Sequence, residues 1–142
     1  MTPSKLLLDT HALIWLVEGV ELSKSVQDAI VFAALADGVF VSPVSAWEIG
    51  MLCAPRPSRA PLVLKPDPKA WYAMALSAPG LTETPFTATA AMDSRTLPGE
   101  LHGDPADRLL IATAREIGAA LVTRDNKILD YARAGHVQAL AC

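Results

Sequence analysis

Three short apolar runs, each followed at once by residues that begin helices, constrain the fold of this chain more than any other feature. The runs cover residues 5–8, 39–41 and 120–123, and each has the length of a buried strand. They lead into Asp9-Thr10, Ser42-Pro43 and Arg124-Asp125. Side chains of Ser, Thr and Asp cap helix starts, and proline fits the first helical turn. Strands that alternate with helices in this way predict an α/β fold with a mainly parallel sheet.

The same signals predict the remaining elements. Predicted helices cover residues 11–18, a segment between Ser23 and Gly38, and residues 43–52, 68–77, 88–96, 105–117 and 127–134. A short strand is predicted at 82–86, where Pro85 favours the edge of the sheet, and a last strand at 137–140. Residues 54–68 contain five prolines and are predicted to form an extended surface segment.

The length of 142 residues predicts one domain spanning residues 1–142. The longest strongly apolar run, residues 29–36, is far shorter than the roughly 20 residues that a membrane span needs. One lysine before a very short apolar run does not resemble a signal peptide. We therefore expect a cytoplasmic protein that is not attached to a membrane, with Cys53 and Cys142 reduced.

Four acidic residues fall at positions that a parallel sheet would bring together. Asp9 and Asp125 each follow a predicted strand, while Glu48 and Asp107 lie in early turns of predicted helices. Ligands of such folds bind beyond the carboxyl ends of the strands. The four carboxylates are therefore predicted to face one crevice, although they come from almost the whole length of the chain.

Clustered carboxylates repel one another, and proteins keep such clusters mainly where a cation neutralises them. Oxygen ligands suit Mg²⁺ or Mn²⁺, which can activate water and stabilise charge on a phosphoryl oxygen. Hydrolysis of phosphodiester bonds needs both effects. The net charge of −3 argues against broad nonspecific binding of nucleic acids, but bound cations would supply the missing positive charge at the site.

Each acid also has a purely structural interpretation. Asp9 is about equally well explained as a helix cap, and Asp104 is better explained as a cap than as a metal ligand. Asp107 could simply favour the helix dipole, and Asp125 could be a turn residue. Glu48 is harder to explain in this way because it lies on an otherwise apolar helix. The convergence of four acids on one edge is the argument for a site.

At this point the residues resemble a known family, the PIN-domain ribonucleases, and among them the VapC-type toxins of bacterial type II toxin–antitoxin pairs. The matching stretches are Leu7-Leu8-Asp9-Thr10-His11-Ala12, Val41-Ser42-Pro43-Val44-Ser45-Ala46-Trp47-Glu48-Ile49, the stretch from His102 through Asp104-Pro105-Ala106-Asp107-Arg108 to Ala112, and Leu121-Val122-Thr123-Arg124-Asp125. Each stretch alone is weak evidence, but all four in this order are specific and span nearly the whole chain.

The resemblance implies a three-layer α/β/α fold and an acidic site of Asp9, Glu48, Asp107 and Asp125 that depends on Mg²⁺ or Mn²⁺. It also implies an endoribonuclease that cuts RNA, often tRNA or rRNA, and that is neutralised by a cognate antitoxin with DNA-binding activity. Proteins of this type commonly form homodimers. Asp104, Thr10 and Thr123 are secondary candidates beside the four acids.

Three basic residues lie close in sequence to the last two acids. Arg108, Arg124 and Lys127 are candidates for RNA phosphate contacts, and a solvated cation or a partner for the carboxylates is an equally good interpretation. The three histidines lack zinc-like spacing with any cysteine, so structural or surface roles are favoured. Trp15 and Trp47 are expected to pack in the core, although a partly exposed Trp15 would suit an antitoxin groove.

Other functions are alternatives to this one. A phosphatase with an aspartate nucleophile needs a second Asp two residues after the first, where this chain has His11. A DNA nuclease would use the same metal chemistry and is left open by residue types alone. A non-catalytic binding module would be favoured by lost acids, but all four acids are present. No glycine-rich phosphate loop supports binding of a nucleotide cofactor.

Overall fold

Five short strands form one parallel sheet in the computed structural model, which describes residues 2–142. The strands are β1 (Lys5–Leu8), β2 (Gly38–Val41), β3 (Leu81–Glu83), β4 (Ala120–Thr123) and β5 (Ala139–Ala141). Their order is β3-β2-β1-β4-β5, and every neighbouring pair is parallel. The parallel sheet predicted from the strand and helix alternation is confirmed.

Helices cover both faces of this sheet. They are α1 (Thr10–Glu18), α2 (Lys24–Ala34), α3 (Pro43–Cys53), α4 (Pro68–Ala75), α5 (Ala88–Asp93), α6 (Pro105–Ile117) and α7 (Asn126–Arg133). Leu6 and Leu8 of β1 pack into one core with α1, α2 and α4, while Leu7 packs into a second core with α5, α6 and α7. Successive strand residues point to opposite faces, so a strand buried on both sides is apolar throughout. The three-layer α/β/α arrangement is confirmed.

The strand-to-helix junctions that place the functional candidates are fixed by local side-chain caps. Ser42 caps α3 by accepting a hydrogen bond from the Val44 amide at 3.1 Å, and Pro43 occupies the first turn. Asp104 caps α6 through the Asp107 amide at 3.0 Å, followed by Pro105. Such caps satisfy amide groups that a helix start leaves without partners. The chain therefore turns sharply at the carboxyl ends of the strands.

The boundaries of the outer elements differ from the sequence prediction. The predicted strand at 82–86 is wrong in extent, because β3 ends at Glu83 and Pro85 has no amide hydrogen to continue the ladder. The last strand begins at Ala139 instead of 137, and Val137 is a buried core residue before it. Helix α5 ends at Asp93, three residues before its predicted end at 96.

The proline-rich segment at 54–68 forms no regular strand or helix before α4, as predicted, but it is anchored to the core. Its Leu64 is only 4% exposed, and the Leu62 amide donates to the Leu52 carbonyl at 2.8 Å. Among residues 2–142, no helix combines the length and apolar character that crossing a membrane requires.

Candidate active site

Two of the predicted acids lie side by side because their strands are neighbours. Asp9 follows β1 and caps α1, where its Oδ1 accepts a hydrogen bond from the Ala12 amide at 2.7 Å. Asp125 follows β4 and caps α7, where its Oδ1 accepts one from the Lys127 amide at 2.8 Å. Each cap uses one carboxylate oxygen and leaves the second one available. The same residues are therefore both caps and candidates for the site.

Two further acids reach the same region from helices. Glu48 projects from the second turn of α3, and the Thr10 hydroxyl donates to its Oε1 at 2.5 Å. The Thr10 oxygen also lies 3.0 Å from the Ser45 hydroxyl, and both Thr10 and Ser45 are buried. Asp107 lies in the first turn of α6. Thr10, predicted as a secondary residue, thus holds the orientation of the Glu48 carboxylate.

All four acids open into one cavity of about 450 Å³. Its lining residues are Asp9, Thr10, His11, Trp15, Glu48, Asp104, Asp107, Leu110, Arg124 and Asp125. The lining thus has five carboxyl groups and a single arginine or lysine. A larger cavity of about 1330 Å³ near the start of β1 and β4 has no Asp or Glu in its described lining. The smaller cavity is therefore the candidate for chemistry.

Three acids of this cavity, Asp9, Glu48 and Asp107, have raised pKa values, so their surroundings disfavour the ionised form. Burial raises the pKa of Asp9, against hydrogen bonds from Thr123 and the Ala12 amide that lower it. Burial also raises the pKa of Glu48, and repulsion by Asp107 and Asp104 adds to the shift. For Asp107, burial raises the pKa and repulsion by Asp104 and Asp125 contributes. Such mutual repulsion is relieved by a positive charge in the middle of the cluster.

His102 is a member of the site that the sequence analysis assigned to a structural or surface role. Its Nε2 lies 2.7 Å from Asp107 Oδ2, and its Nδ1 is buried without a hydrogen-bond partner among the described residues. One donor atom each of His102, Asp107 and Asp125 lie within 4.8 Å of one another, close enough for these residues to share a cation. The sequence feature that indicates this role is the position of His102 five residues before Asp107, in the loop that leads into α6.

Arg108 does not point into the cavity. Its guanidinium donates to the Ser94 carbonyl at 2.8 Å and to the carbonyls of Leu101 and His102 at 3.3 and 3.4 Å. Arg108 therefore stabilises the position of the loop that carries His102. These contacts use donors that an RNA phosphate would need, and the predicted RNA contact of Arg108 stays a prediction.

Arg124 lines the cavity, in contrast to Arg108, and its guanidinium carbon lies 4.0 Å from the centre of the Trp15 ring. Lys127 is exposed beside Asp125. Thr123 is fully buried, and its hydroxyl accepts from the Asp125 amide at 3.0 Å. Thr123 thus fixes the chain where β4 leads into Asp125.

The composition of the cavity fits a hard divalent cation. Such ions prefer oxygen ligands, mostly carboxylates, and fill the remaining positions with water. The lining offers Asp9, Glu48, Asp107 and Asp125, and burial, with repulsion between neighbouring acids as a lesser cause, raises the pKa of the first three, which a bound cation would counteract. A mixed oxygen and imidazole set that includes His102 would also accept Mn²⁺.

Comparisons with known proteins agree with this fold. The family described as "PIN domain" matches residues 6–134. Ribonuclease VapC22 of Mycobacterium tuberculosis is 34% identical over 126 residues, which cover 88% of this chain and 90% of the relative. All four stretches that carry the resemblance lie within residues 6–134.

Solved structures with this fold include two complexes. The structure of VapBC2 from Rickettsia felis bound to a DNA fragment from their promoter superposes with a TM-score of 0.64 and 15% identity, covering 96% of this chain and 98% of that one. A toxin–antitoxin complex from Klebsiella pneumoniae gives 0.55 and 21% identity, covering 86% and 88%. At these identities they establish the fold alone. By its sequence match and its fold, the chain belongs to the PIN domain family and is of the VapC type.

Proposed function

We propose that this protein is a metal-dependent endoribonuclease, the toxin of a type II toxin–antitoxin pair. The observation that carries the proposal is the convergence of Asp9, Glu48, Asp107 and Asp125 on one cavity from four separate elements. Support comes from the relative named as a ribonuclease and from a structural neighbour named as a toxin–antitoxin complex. Residues 1–142 would form a single nuclease domain.

We assign the cation to these four carboxylates, with Mg²⁺ as the expected ion and Mn²⁺ as the alternative. When bound, a divalent ion supplies activation of water and stabilisation of negative charge on a phosphoryl oxygen. The protein's own part is to orient the ligands. The Asp9 and Asp125 carboxylates are fixed by the amides of α1 and α7, and Glu48 is fixed by Thr10. Such fixed carboxylates need no rearrangement during the reaction.

The proposal extends to partners. The expected substrate is RNA, with tRNA or rRNA as the candidates, and the expected regulator is a cognate antitoxin protein. A homodimer is the expected assembly. Arg124, which lines the cavity, and Lys127, which is exposed two residues after Asp125, are the expected contacts for RNA phosphates.

The first test compares RNA with DNA under defined metal conditions. Purified protein is incubated with structured RNAs and with DNA of matched sequence, in Mg²⁺, in Mn²⁺ and with EDTA. We expect cleavage of RNA in either metal and at least about a tenfold lower rate on DNA. In EDTA we expect no cleavage, since loss of the cation removes several kcal/mol of charge stabilisation. Products are resolved on denaturing gels.

Cleavage that persists in EDTA would contradict the metal-dependent mechanism. Equal cleavage of DNA and RNA would replace the ribonuclease assignment by a general nuclease. Absence of any divalent-metal binding by calorimetry would favour a non-catalytic module that keeps only the fold.

A second prediction concerns His102. Replacing His102 with Ala removes the hydrogen bond at 2.7 Å to Asp107 and leaves that carboxylate free to rotate. Groups that orient a metal ligand typically contribute about 10–100-fold to metal affinity. We therefore expect Mn²⁺ affinity, measured by calorimetry on the protein alone, to fall by about tenfold. His102→Gln, whose amide can donate to the same oxygen, should retain more of the affinity. Equal affinities in all three proteins would contradict an orienting role for His102.

A further inference from the structure

Trp15 and Arg124 form a cation–π pair in the lining of the acidic cavity. The guanidinium carbon of Arg124 lies 4.0 Å from the ring centre of Trp15, and both residues line the cavity. Trp15 comes from α1, which Asp9 caps, and Arg124 directly precedes Asp125. The pair therefore bridges the two strand ends that carry these acids. Its position relative to the acids is fixed by the same junctions.

The charge surroundings of Arg124 are unusual for an exposed arginine. Five carboxyl groups line the same cavity, yet among residues 2–142 Arg124 forms no ion pair within 4.0 Å. The backbone contact of its guanidinium is a long one to the Glu21 carbonyl, at 3.5 Å. The other arginine near the site, Arg108, is occupied by three carbonyl groups. Arg124 is thus the cation of the cavity lining whose charge is not neutralised by a neighbouring carboxylate.

The contact with Trp15 explains how Arg124 stays apart from those carboxylates. Aromatic faces attract a guanidinium, and this attraction restricts the movement of the side chain. The guanidinium contacts the Trp15 ring, and Arg124 is an exposed residue. A planar fork of N–H donors fixed in this way is suited to an oxygen anion such as phosphate. Fixing the side chain in advance also lowers the entropy cost of binding.

From this geometry we infer that Arg124, held on Trp15, clamps an RNA phosphate next to the bond that is cut. Trp15 is a positioning residue that acts through Arg124. The inference rests on the proposed function. The role also accounts for how RNA can approach the site. The negatively charged strand must pass a cavity with five carboxyl groups, and the positive charge of Arg124 lowers the repulsion on the flanking phosphate.

The test measures RNA binding apart from cleavage. All variants carry Asp107→Asn to stop turnover, and the probe is a fluorescein-labelled single-stranded RNA of mixed sequence, read by anisotropy in Mg²⁺. Arg124→Ala should weaken binding about tenfold at physiological salt and lower the slope of log K against log salt by about 0.7, the value for one phosphate contact on a single strand. Arg124→Lys should keep the slope but bind several-fold more weakly, because lysine lacks the planar contact.

Trp15 is tested in the presence and absence of Arg124. Trp15→Ala should weaken binding several-fold in the Arg124 protein and have no added effect in the Arg124→Ala protein, since a positioning residue acts only through its partner. Trp15→Phe keeps an aromatic face and should stay within about twofold of the parent. Thermal melts of each variant identify any loss of folding. Arg133→Ala, which removes the same charge from an exposed site in α7, is the matched control and should change little.

Several results would overturn the inference. One such result is that Arg124→Ala binds RNA as tightly as Arg133→Ala and with the same salt slope. Trp15 and Arg124 would then be assigned to a protein interface instead. Trp15→Ala could cost the same factor with and without Arg124, which would make Trp15 a direct contact for a base. The proposed function is judged separately, by cleavage of RNA in Mn²⁺ by the protein with Asp107 intact. If the protein with Asp107 cleaves RNA but Arg124→Ala binds RNA normally, only the proposed role of Arg124 is wrong. If the protein with Asp107 does not cleave RNA, the nuclease assignment is wrong.

Discussion

Replacing Asp107 with Asn is expected to lower the rate of RNA cleavage by about 10³-fold, while the protein stays folded. Asn keeps an amide oxygen that can accept the hydrogen bond from His102 at the position of Asp107 Oδ2. It cannot supply the negative charge that holds a divalent cation. The loss of several kcal/mol of charge stabilisation corresponds to this factor in rate. Single-turnover cleavage in saturating Mn²⁺ measures it, with a thermal melt to verify folding.

The companion variants separate the site acids from the other carboxylates. Glu48→Gln should cause a loss of the same order, because its amide preserves the contact with Thr10 but not the charge. Asp93→Asn, at the exposed end of α5, is the matched control and should leave the rate unchanged. Asp104→Asn should cost less than about tenfold, since Asn caps a helix as well as Asp does. A loss at Asp104 as large as at Asp107 would move Asp104 into the metal site.

Much of the fold could be predicted because its signals are local. β4 is buried along its whole length and β1 along its last three residues, while in β2 buried and half-buried residues alternate, so each strand has an apolar stretch that the sequence reveals. The caps at the following helix starts depend on residues only two or three positions apart. Strands β3 and β5 were placed less well. They are three-residue edge strands, with one side unpaired and little burial to define where they end.

The candidate site could be predicted as far as it depends on topology. Acids that follow neighbouring parallel strands must come together, which was enough to group Asp9 with Asp125. The role of His102 could not be predicted, because it depends on how the loop before α6 folds back onto Asp107. The same holds for Arg108, whose donors are used by that loop. Nor does any local pattern link Trp15 to Arg124, whose contact arises only when α1 and the end of β4 are side by side.

The second large effect expected concerns stability in the absence of metal. In EDTA near neutral pH, Glu48→Gln should melt at a higher temperature than the parent protein, by roughly 1–3 °C, the shift that about 0.5–1 kcal/mol produces in a domain of this size. Burial and repulsion by Asp107 and Asp104 raise the pKa of Glu48, so its ionised form destabilises the fold. The half-buried position exposes this charge to solvent screening, which keeps the gain small. Gln keeps the contact with Thr10 and removes the charge.

The pH dependence of the metal-free protein follows from the same shifts. The pKa values of Asp9, Glu48 and Asp107 are all raised above their ordinary values of 3.8, 4.5 and 3.8. Between the ordinary and the raised pKa, the folded state binds more protons than the unfolded state, so stability falls as pH rises. The stability contributed by these groups is complete below their ordinary pKa values and is lost as pH rises through the raised ones. In Glu48→Gln, chemical denaturation in EDTA should show a smaller loss over that interval.

Bound metal should reverse the destabilisation caused by ionised Glu48 in the parent protein, an effect that Glu48→Gln cannot show. An ion at about 100 times its dissociation constant stabilises the folded state by about 2.7 kcal/mol, so saturating Mn²⁺ should raise the melting temperature by roughly 5–10 °C. Glu48→Gln has lost a ligand and should show a much smaller rise, and Asp93→Asn should behave as the parent. The order of the two melting temperatures should therefore invert when EDTA is replaced by Mn²⁺. Melting curves that keep the same order in both conditions would contradict a cation shared by these carboxylates, because only such a cation converts the repulsion of Glu48 with its neighbours into binding energy.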